Sequence, residues 1–214
     1  MTEKIVIFTG PSLHPAQALK ILKAEYHPPV KRGDITTAIH NGAEIIGIID
    51  GVFHQEPAVS HREILDALNK NVIIVGGASM GALRASELDE LGMIGVGYVY
   101  NQYKSGSIES DDDVAVVFNP ENMQQLSEAF ISMKYNLEKT LKQGIITKNE
   151  FNEIIIQLKS TYYPKRNYNI IFNVLNENRS KNLKKFLDEN KVDVKTKDAI
   201  AVLKYIKRLI NFVD

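Results

Sequence analysis

Three short apolar runs in the first half of the chain constrain its fold more than any other feature. Each run is rich in Ile and Val, ends within a residue or two of Gly or Asp, and precedes a loop and a helical pattern. The runs are Ile5–Phe8, Ile45–Ile49 and Val72–Val75, and the helices are Pro15–Ala24, His61–Leu68 and Ala82–Leu91. This repeat predicts an α/β fold with a small, mostly parallel sheet flanked by helices.

The same topology predicts where functional residues lie. Parallel sheets bind their ligands at the carboxyl ends of the strands, so three loops are expected to meet at one edge. These loops are Thr9–His14, Asp50–Pro57 and Gly76–Gly81. The segment His27–Asp34 contains two prolines that cannot continue a helix, which predicts a turn-rich insertion.

The second half of the chain has a different composition. Only one of the 13 glycines, Gly144, lies beyond residue 106, and Lys, Asn, Glu, Leu and Ile dominate there. This pattern predicts an α-helical C-terminal half. The predicted helices are Pro120–Gln143, Lys148–Tyr162, Asn167–Asn178, Lys181–Glu189 and Lys195–Phe212. We therefore predict an α/β core over residues 1–118 and a helical extension over residues 119–214, packed on the core and available for partner docking.

Local signals support these helices. Thr147 with Glu150 predicts a capping box, and Gly144 predicts a glycine cap. The last helix carries an apolar stripe formed by Ile200, Leu203, Ile206, Leu209 and Ile210. Packing against neighbouring elements is the favoured interpretation of the stripe, and a groove for a partner protein is the alternative.

Charge and composition exclude several classes of function. The 26 basic and 26 acidic residues cancel, which argues against a dedicated nucleic-acid binder. The absence of cysteine excludes disulfides, cysteine-bound zinc and thiol nucleophiles. The N-terminus has no signal-peptide pattern, and the longest apolar-leaning stretch, Val72–Leu83, is too short to span a bilayer. We expect a cytoplasmic protein without a membrane or nucleic-acid partner.

The segment that carries chemistry is Gly77-Ala-Ser79-Met80-Gly81, a G-x-S-x-G motif. It follows a predicted strand and precedes a predicted helix, which is the setting of a nucleophile elbow. The glycines permit a sharp turn that exposes Ser79, and the Met80 N–H can point at a developing oxyanion. A tight turn that needs small residues for packing is the alternative. A phosphate cradle is disfavoured because Ala82 stands where a P-loop needs Lys.

The base that would activate Ser79 stays open. No histidine follows His61, which excludes the hydrolase order of serine, acid and histidine. The candidates are His54, His61 and Lys31. A lysine base must be desolvated or lie beside another cation, and Lys31 adjoins Arg32. The alternatives are a solvated turn for Lys31 and a helix cap for His61.

Three further features have two interpretations each. Asp50 either orients a base or forms a turn, and Arg84 either binds an anion or pairs with Glu87. The run Asp111–Asp113 resembles a metal cluster, but solvated acids are the commoner meaning. We therefore expect no metal and no cofactor.

Several motifs resemble the TfuA-like proteins over about residues 4–118. They are "VIFTGPSL", "PPVKRGD", "IIGIIDGVFHQEPAVSHREIL", "GGASMGALRASELDELGMIGVG" and "DDDVAVVF". The resemblance implies a role beside a YcaO enzyme, which uses ATP to activate a peptide backbone amide. The TfuA-like partner would supply sulfur for a thioamide by hydrolysing the C-terminal thiocarboxylate of a ThiS-like carrier protein with a Ser–Lys pair.

Carried over to this chain, the resemblance places the nucleophile at Ser79 and the lysine at Lys31 in "PPVKRGD". Many relatives read "HKEIL" where this chain has Arg62 after His61, and an arginine that stays charged would be a poor base. The expected binding groups for the anionic substrate are Gly77, Met80, Gly81, Arg84 and Arg32. The alternatives are a non-catalytic adaptor that strengthens YcaO binding to its peptide, and a generic serine esterase.

Overall fold

The computed structural model describes residues 4–53 and 56–211, which form two compact units. The first unit comprises Met1–Asp111 and Lys195–Asp214, and the second comprises Asp112–Val194. The first boundary falls after Asp111 instead of residue 118. The last helix also belongs to the first unit instead of the predicted helical extension. Within the described ranges, no helix has the length and apolar character that a bilayer span requires.

The first unit is built on a five-stranded sheet. Its strands are β1 (Ile5–Phe8), β2 (Glu25–His27), β3 (Ile45–Ile48), β4 (Ile73–Gly77) and β5 (Ile94–Val96). They lie in the order β2-β1-β3-β4-β5 and every pairing is parallel, which confirms the predicted α/β fold. This is the doubly wound, flavodoxin-like order, in which the connections reverse direction between β1 and β3.

The helices follow in chain order, with α6 to α9 in the second unit. They are α1 (Pro15–Ala18), α2 (Asp34–His40), α3 (His61–Leu68), α4 (Met80–Leu88), α5 (Tyr98–Lys104), α6 (Phe130–Lys142), α7 (Lys148–Ser160), α8 (Asn169–Phe172), α9 (Glu177–Asn190) and α10 (Val194–Asn211). The first unit therefore combines a parallel sheet with α1 to α5 and α10.

Successive strand residues point to opposite faces and create two apolar cores. On one face, Val6, Ile46 and Ile74 pack with residues from α2, α3 and α4. On the other face, the core contains Ile7 and Val75 together with residues from α1 and α10. Leu203 and Ile206 of the α10 stripe are buried in this second core, whereas Ile200, Leu209 and Ile210 are partly buried against it. The apolar stripe of α10 therefore packs in the core, which confirms the favoured interpretation of the sequence.

Four elements of the first unit were not predicted. Strands β2 and β5 have three residues each and form the two edges of the sheet, and helices α2 and α5 have seven residues each. Such short elements carry too few periods for a pattern to be recognised. Helix α1 ends at Ala18 instead of Ala24. The residues that follow it, up to Leu22, form hydrogen-bonded turns.

The second unit confirms two local predictions. The Thr147 side chain accepts from the Glu150 N–H, and the Glu150 carboxylate accepts from the Thr147 N–H. Gly144 follows α6 with φ of +69°, as a glycine cap requires. The predicted helix over Pro120–Gln143 is shorter and begins at Phe130.

The acidic run Asp111–Asp113 spans the point in the sequence where the first unit ends and the second begins. Within the second unit, Asp112 pairs with Arg166, and Asp113 is buried and pairs with Lys159. These two acids are thus ion-paired rather than simply solvated. The described part of the chain contains no cluster of His, Cys, Asp and Glu that could hold a metal ion.

Candidate active site at the carboxyl edge

The three predicted loops meet at the carboxyl edge of the sheet. The Ser79 N–H donates to the Ile49 carbonyl oxygen at 3.2 Å, which ties the loop after β4 to the end of β3. The Gly10 N–H donates to the Asp50 carboxylate at 2.9 Å, which ties the loop after β1 to the same place. Helix α4 starts here, so the positive end of its dipole lies at this edge.

The turn between β4 and α4 has an unusual backbone conformation. Ala78 has φ of +67°, a left-handed value that costs about 1–2 kcal/mol for a residue with a Cβ. Ser79 follows with φ of −129° and ψ of −114°, and helix α4 begins at Met80. Strained backbone of this kind is concentrated at functional sites. The G-x-S-x-G segment therefore forms the sharp strand-to-helix turn that the motif predicts.

The glycines of the motif are required by close packing. A Cβ on Gly81 would collide with the Ile48 carbonyl oxygen, and a Cβ on Gly76 would collide with the Gly81 carbonyl oxygen. A Cβ on Gly77 would lie 2.6 Å from both Val202 Cγ2 and the Val96 carbonyl oxygen. The first turn of α4 thus rests directly on the ends of β3 and β4. The packing alternative explains the glycines, and it leaves the serine unexplained.

Two polar groups of the turn have no partner. Among the described residues, the Ser79 hydroxyl makes no hydrogen bond, although Ser79 is only 2% exposed. The Met80 N–H likewise lacks an acceptor within that part of the chain, and Met80 is buried. The Ser79 hydroxyl oxygen keeps some contact with solvent, and beside it the free Met80 N–H suits a substrate that brings its own oxygen.

Asp50 holds the loop after β1. Its carboxylate accepts from the Gly10 N–H at 2.9 Å, from the Ser12 N–H at 3.0 Å and from the Ser12 hydroxyl at 2.6 Å. Of the two predicted roles, this is the structural one, since a buried carboxylate with three donors orders the backbone around it. Its neighbour Gly51 lies against Met80, because a Cβ there would be 2.6 Å from Met80 Cγ.

Lys31 lies on the loop between β2 and α2, beside the loop after β3. The preceding residue, Val30, donates its N–H to the Asp50 carbonyl oxygen at 2.9 Å and forms a bridge with Gly51. The Lys31 ammonium is exposed and pairs with Glu56 at 2.9 Å. The hydrogen bond that Lys31 donates to Glu56, helped by the charge of Glu56, raises the pKa of Lys31 above the ordinary lysine value. The pair therefore favours the protonated form, whereas a general base has to be deprotonated.

The other candidate groups form a separate cluster between α3 and α4. His61 Nε2 lies 2.8 Å from Glu87 Oε2, and Arg84 Nη1 donates to the same oxygen at 2.7 Å. Arg84 Nε also donates to the Val59 carbonyl oxygen at 3.2 Å. The predicted Arg84–Glu87 pair is thus present, and Ser60 rather than His61 caps α3. No hydrogen bond joins this cluster to Ser79 in the part of the chain that the structure describes.

The remaining predicted residues contribute less to the geometry. Arg32 is exposed, and its N–H donates to the Pro57 carbonyl oxygen at 2.9 Å. Arg62 is exposed on α3 and lies 4.0 Å from Asp66. His54 lies outside the described residues. The structure therefore brings together Gly77, Ser79, Met80 and Gly81 and leaves Arg32, Lys31, His61 and Arg84 without a hydrogen bond to Ser79.

The roles of two residues that shape this edge were not predicted from the sequence. Ser12 shares the Asp50 carboxylate with Gly10, and Glu56 holds Lys31. Ser12 belongs to Thr9-Gly-Pro-Ser12, a run of turn residues directly after β1, and this position in the flavodoxin-like order marks a binding crevice. That signal was available. Glu56 had none, because its role depends on where two separate loops meet.

The sequence is also related to a known protein family. The family model for TfuA-like proteins matches residues 50–167, which is more than half of the chain and includes Asp50, the elbow and the acidic run. None of the curated proteins matches the sequence. The chain belongs to the family of TfuA-like proteins.

Proposed function

We propose that this protein hydrolyses a thiocarboxylated ThiS-like carrier and releases sulfide for a YcaO enzyme that thioamidates a peptide backbone. Family membership supports a partner role beside a YcaO enzyme. The observation that supports the hydrolytic step is the pair of unpartnered groups on the elbow, the Ser79 hydroxyl and the Met80 N–H, within the described residues. The first supplies a nucleophile and the second an oxyanion donor.

The reaction runs in two steps. Ser79 Oγ attacks the thiocarboxylate carbon, the oxyanion accepts a hydrogen bond from the Met80 N–H, and the carbon–sulfur bond breaks. The serine proton, taken up by a base, leaves with the sulfur as hydrosulfide, and an acyl-serine ester remains. Water then hydrolyses the ester to a carboxylate and restores the Ser79 hydroxyl. The atoms balance with water as the only co-reactant, so the reaction as written needs no cofactor.

The base in this scheme is Lys31. Its loop is joined to the loop after β3, and Gly51 of that loop lies against Met80, which keeps Lys31 at the same edge as the elbow. The ammonium has to leave Glu56 and lose its proton before it can accept one from Ser79. Substrate entry can supply both changes by displacing Glu56 and by excluding water around the lysine.

Sulfide release tests the proposal. Purified wild type and Ser79→Ala are mixed with thiocarboxylated ThiS-like carrier, and sulfide is measured over time. Ser86→Ala is the matched control, because Ser86 lies on the same helix and its hydroxyl donates to the Leu83 carbonyl oxygen at 2.7 Å. We expect release by wild type and Ser86→Ala and none by Ser79→Ala. Equal release by Ser79→Ala would contradict the nucleophile assignment.

A non-catalytic adaptor is the second candidate, and one observation favours it. No candidate base makes a hydrogen bond with Ser79 within the described part of the chain. An adaptor would strengthen YcaO binding to its peptide, and Ser79→Ala would preserve that effect. A wild-type protein that releases no sulfide but lowers the KM of YcaO for its peptide would support this candidate.

A further inference from the structure

A shallow groove of about 580 Å³ runs along α10 in the first unit. Its apolar part is formed by Ile21, Val96 and Ala201, all partly buried. Its polar part is formed by Lys204, Lys207 and Arg208, all exposed or partly exposed. Ala201, Lys204 and Arg208 share one face of α10 because they follow a helical spacing of three and four, and Ile21 and Val96 beside them pack against the same core as the stripe.

The three cations of this groove form no ion pair with any acidic residue that the structure describes. Arg208 lies over the Tyr205 ring at 5.8 Å. Helix α10 contains five basic residues and a single acid, Asp198. Asp198 accepts hydrogen bonds from the Tyr98 and Val99 N–H groups at 2.9 and 2.7 Å, so its carboxylate already binds the first turn of α5. The groove thus combines apolar contact area with uncompensated positive charge.

One end of the groove adjoins the elbow strand. Val96 is paired with Gly77, the last residue of β4, and Ser79 follows two residues later. Val202, which is next to Ala201, also lies against Gly77. An extended peptide covers about 3.3 Å per residue, so a tail of a few residues can reach from the groove to Ser79.

We propose that this groove docks the acidic face of the carrier protein whose C-terminal tail reaches Ser79. This inference rests on the proposed function, because it identifies a surface for the same substrate. Unpaired cations beside apolar residues complement an acidic surface with apolar side chains. The groove's position fixes the geometry: the folded body of the carrier covers Lys204, Lys207 and Arg208, and its tail passes Val96 toward the elbow.

Two charge-reversal triple variants test this surface. The first is Lys204→Glu, Lys207→Glu and Arg208→Glu. The matched control is Lys70→Glu, Lys142→Glu and Lys184→Glu, at exposed positions without an ion pair in the described residues and with the same change in net charge. Sulfide release is measured with the whole thiocarboxylated carrier and with a short synthetic peptide thiocarboxylate of its tail. Carrier binding to each triple in a Ser79→Ala background is measured by calorimetry.

We expect the groove triple to raise the KM for the whole carrier about tenfold at low salt and to leave kcat within about twofold. The peptide substrate and the control triple should show changes no larger than about twofold. Carrier binding should weaken only in the groove triple. Equal effects of both triples, or unchanged carrier binding in the groove triple, would overturn the docking surface. Absence of sulfide release by wild type would instead contradict the proposed reaction, and calorimetry would still decide the docking surface.

Discussion

Two serines at the carboxyl edge are equally buried and differ in their partners. Ser12, in the loop after β1, is 1% exposed and donates its hydroxyl to Asp50 at 2.6 Å. Ser79, in the turn after β4, is 2% exposed and has no hydroxyl partner among the described residues. Ser12 therefore organises the edge, whereas the Ser79 hydroxyl stays available to a substrate.

Replacing each serine with alanine should give the largest difference between the two roles. Ser79→Ala should reduce sulfide release about 10³-fold or more, because no other group can form the acyl intermediate. The stability of Ser79→Ala should change by less than about 0.5 kcal/mol, because the Ser79 hydroxyl makes no hydrogen bond among the described residues. Ser12→Ala should lower the free energy of unfolding by about 1 kcal/mol and retain most activity. Urea denaturation and sulfide assays on both variants measure this. Loss of activity in Ser12→Ala alone would reverse the assignment.

The packing of the elbow predicts the next largest effect. Gly81→Ala should lower the free energy of unfolding by about 4 kcal/mol, because its Cβ would collide with the Ile48 carbonyl oxygen and α4 would have to move. Gly42→Ala is the control: Gly42 has φ of +85° and open space around it, so only about 1 kcal/mol of backbone strain is expected. Equal destabilisation of the two variants would show that α4 is not held against the strands.

Two substitutions of Asp50 give the third comparison, and the expected loss of stability is smaller. Asp50→Ala should cost about 2–3 kcal/mol, because the Gly10 and Ser12 N–H groups would be left buried without an acceptor. Asp50→Asn should cost about 1 kcal/mol or less, because the amide oxygen can accept from both N–H groups and the Ser12 hydroxyl can turn to accept. Chemical denaturation of both variants measures the difference. Similar losses in the two would show that the carboxylate charge itself is required.

The smallest expected effect concerns the Lys31–Glu56 pair. Glu56 raises the pKa of Lys31, so removing it in Glu56→Gln should lower that pKa toward the ordinary lysine value. If Lys31 is the base, its unprotonated fraction rises at every pH below that pKa. The rising limb of the rate–pH profile then moves to lower pH, and the rate at neutral pH increases. Sulfide release across a pH series measures the limb. A profile that does not move would remove Lys31 from the reaction.

Sequence patterns were informative where residues close in the chain decide the structure. The strands around Ile5, Ile45 and Ile73 and the elbow at Ser79 follow from apolar runs and glycine spacing, and the structure has them at those positions. The proposed role of Lys31 depends instead on where loops from different strands meet. No local pattern encodes the pairing of Lys31 with Glu56, because the two residues lie on separate loops. The fold was therefore predictable from the sequence, and the pairing of Lys31 was not.

The most direct test of the central claim is to look for the acyl-enzyme. Wild-type protein is mixed with thiocarboxylated carrier, quenched in acid within one turnover, and analysed by intact and peptide mass spectrometry. The account predicts an adduct with the mass of the carrier less hydrogen sulfide, joined to the peptide that contains Ser79. An adduct on another residue, or sulfide release in full with no adduct on Ser79 at any time, would contradict Ser79 as the nucleophile.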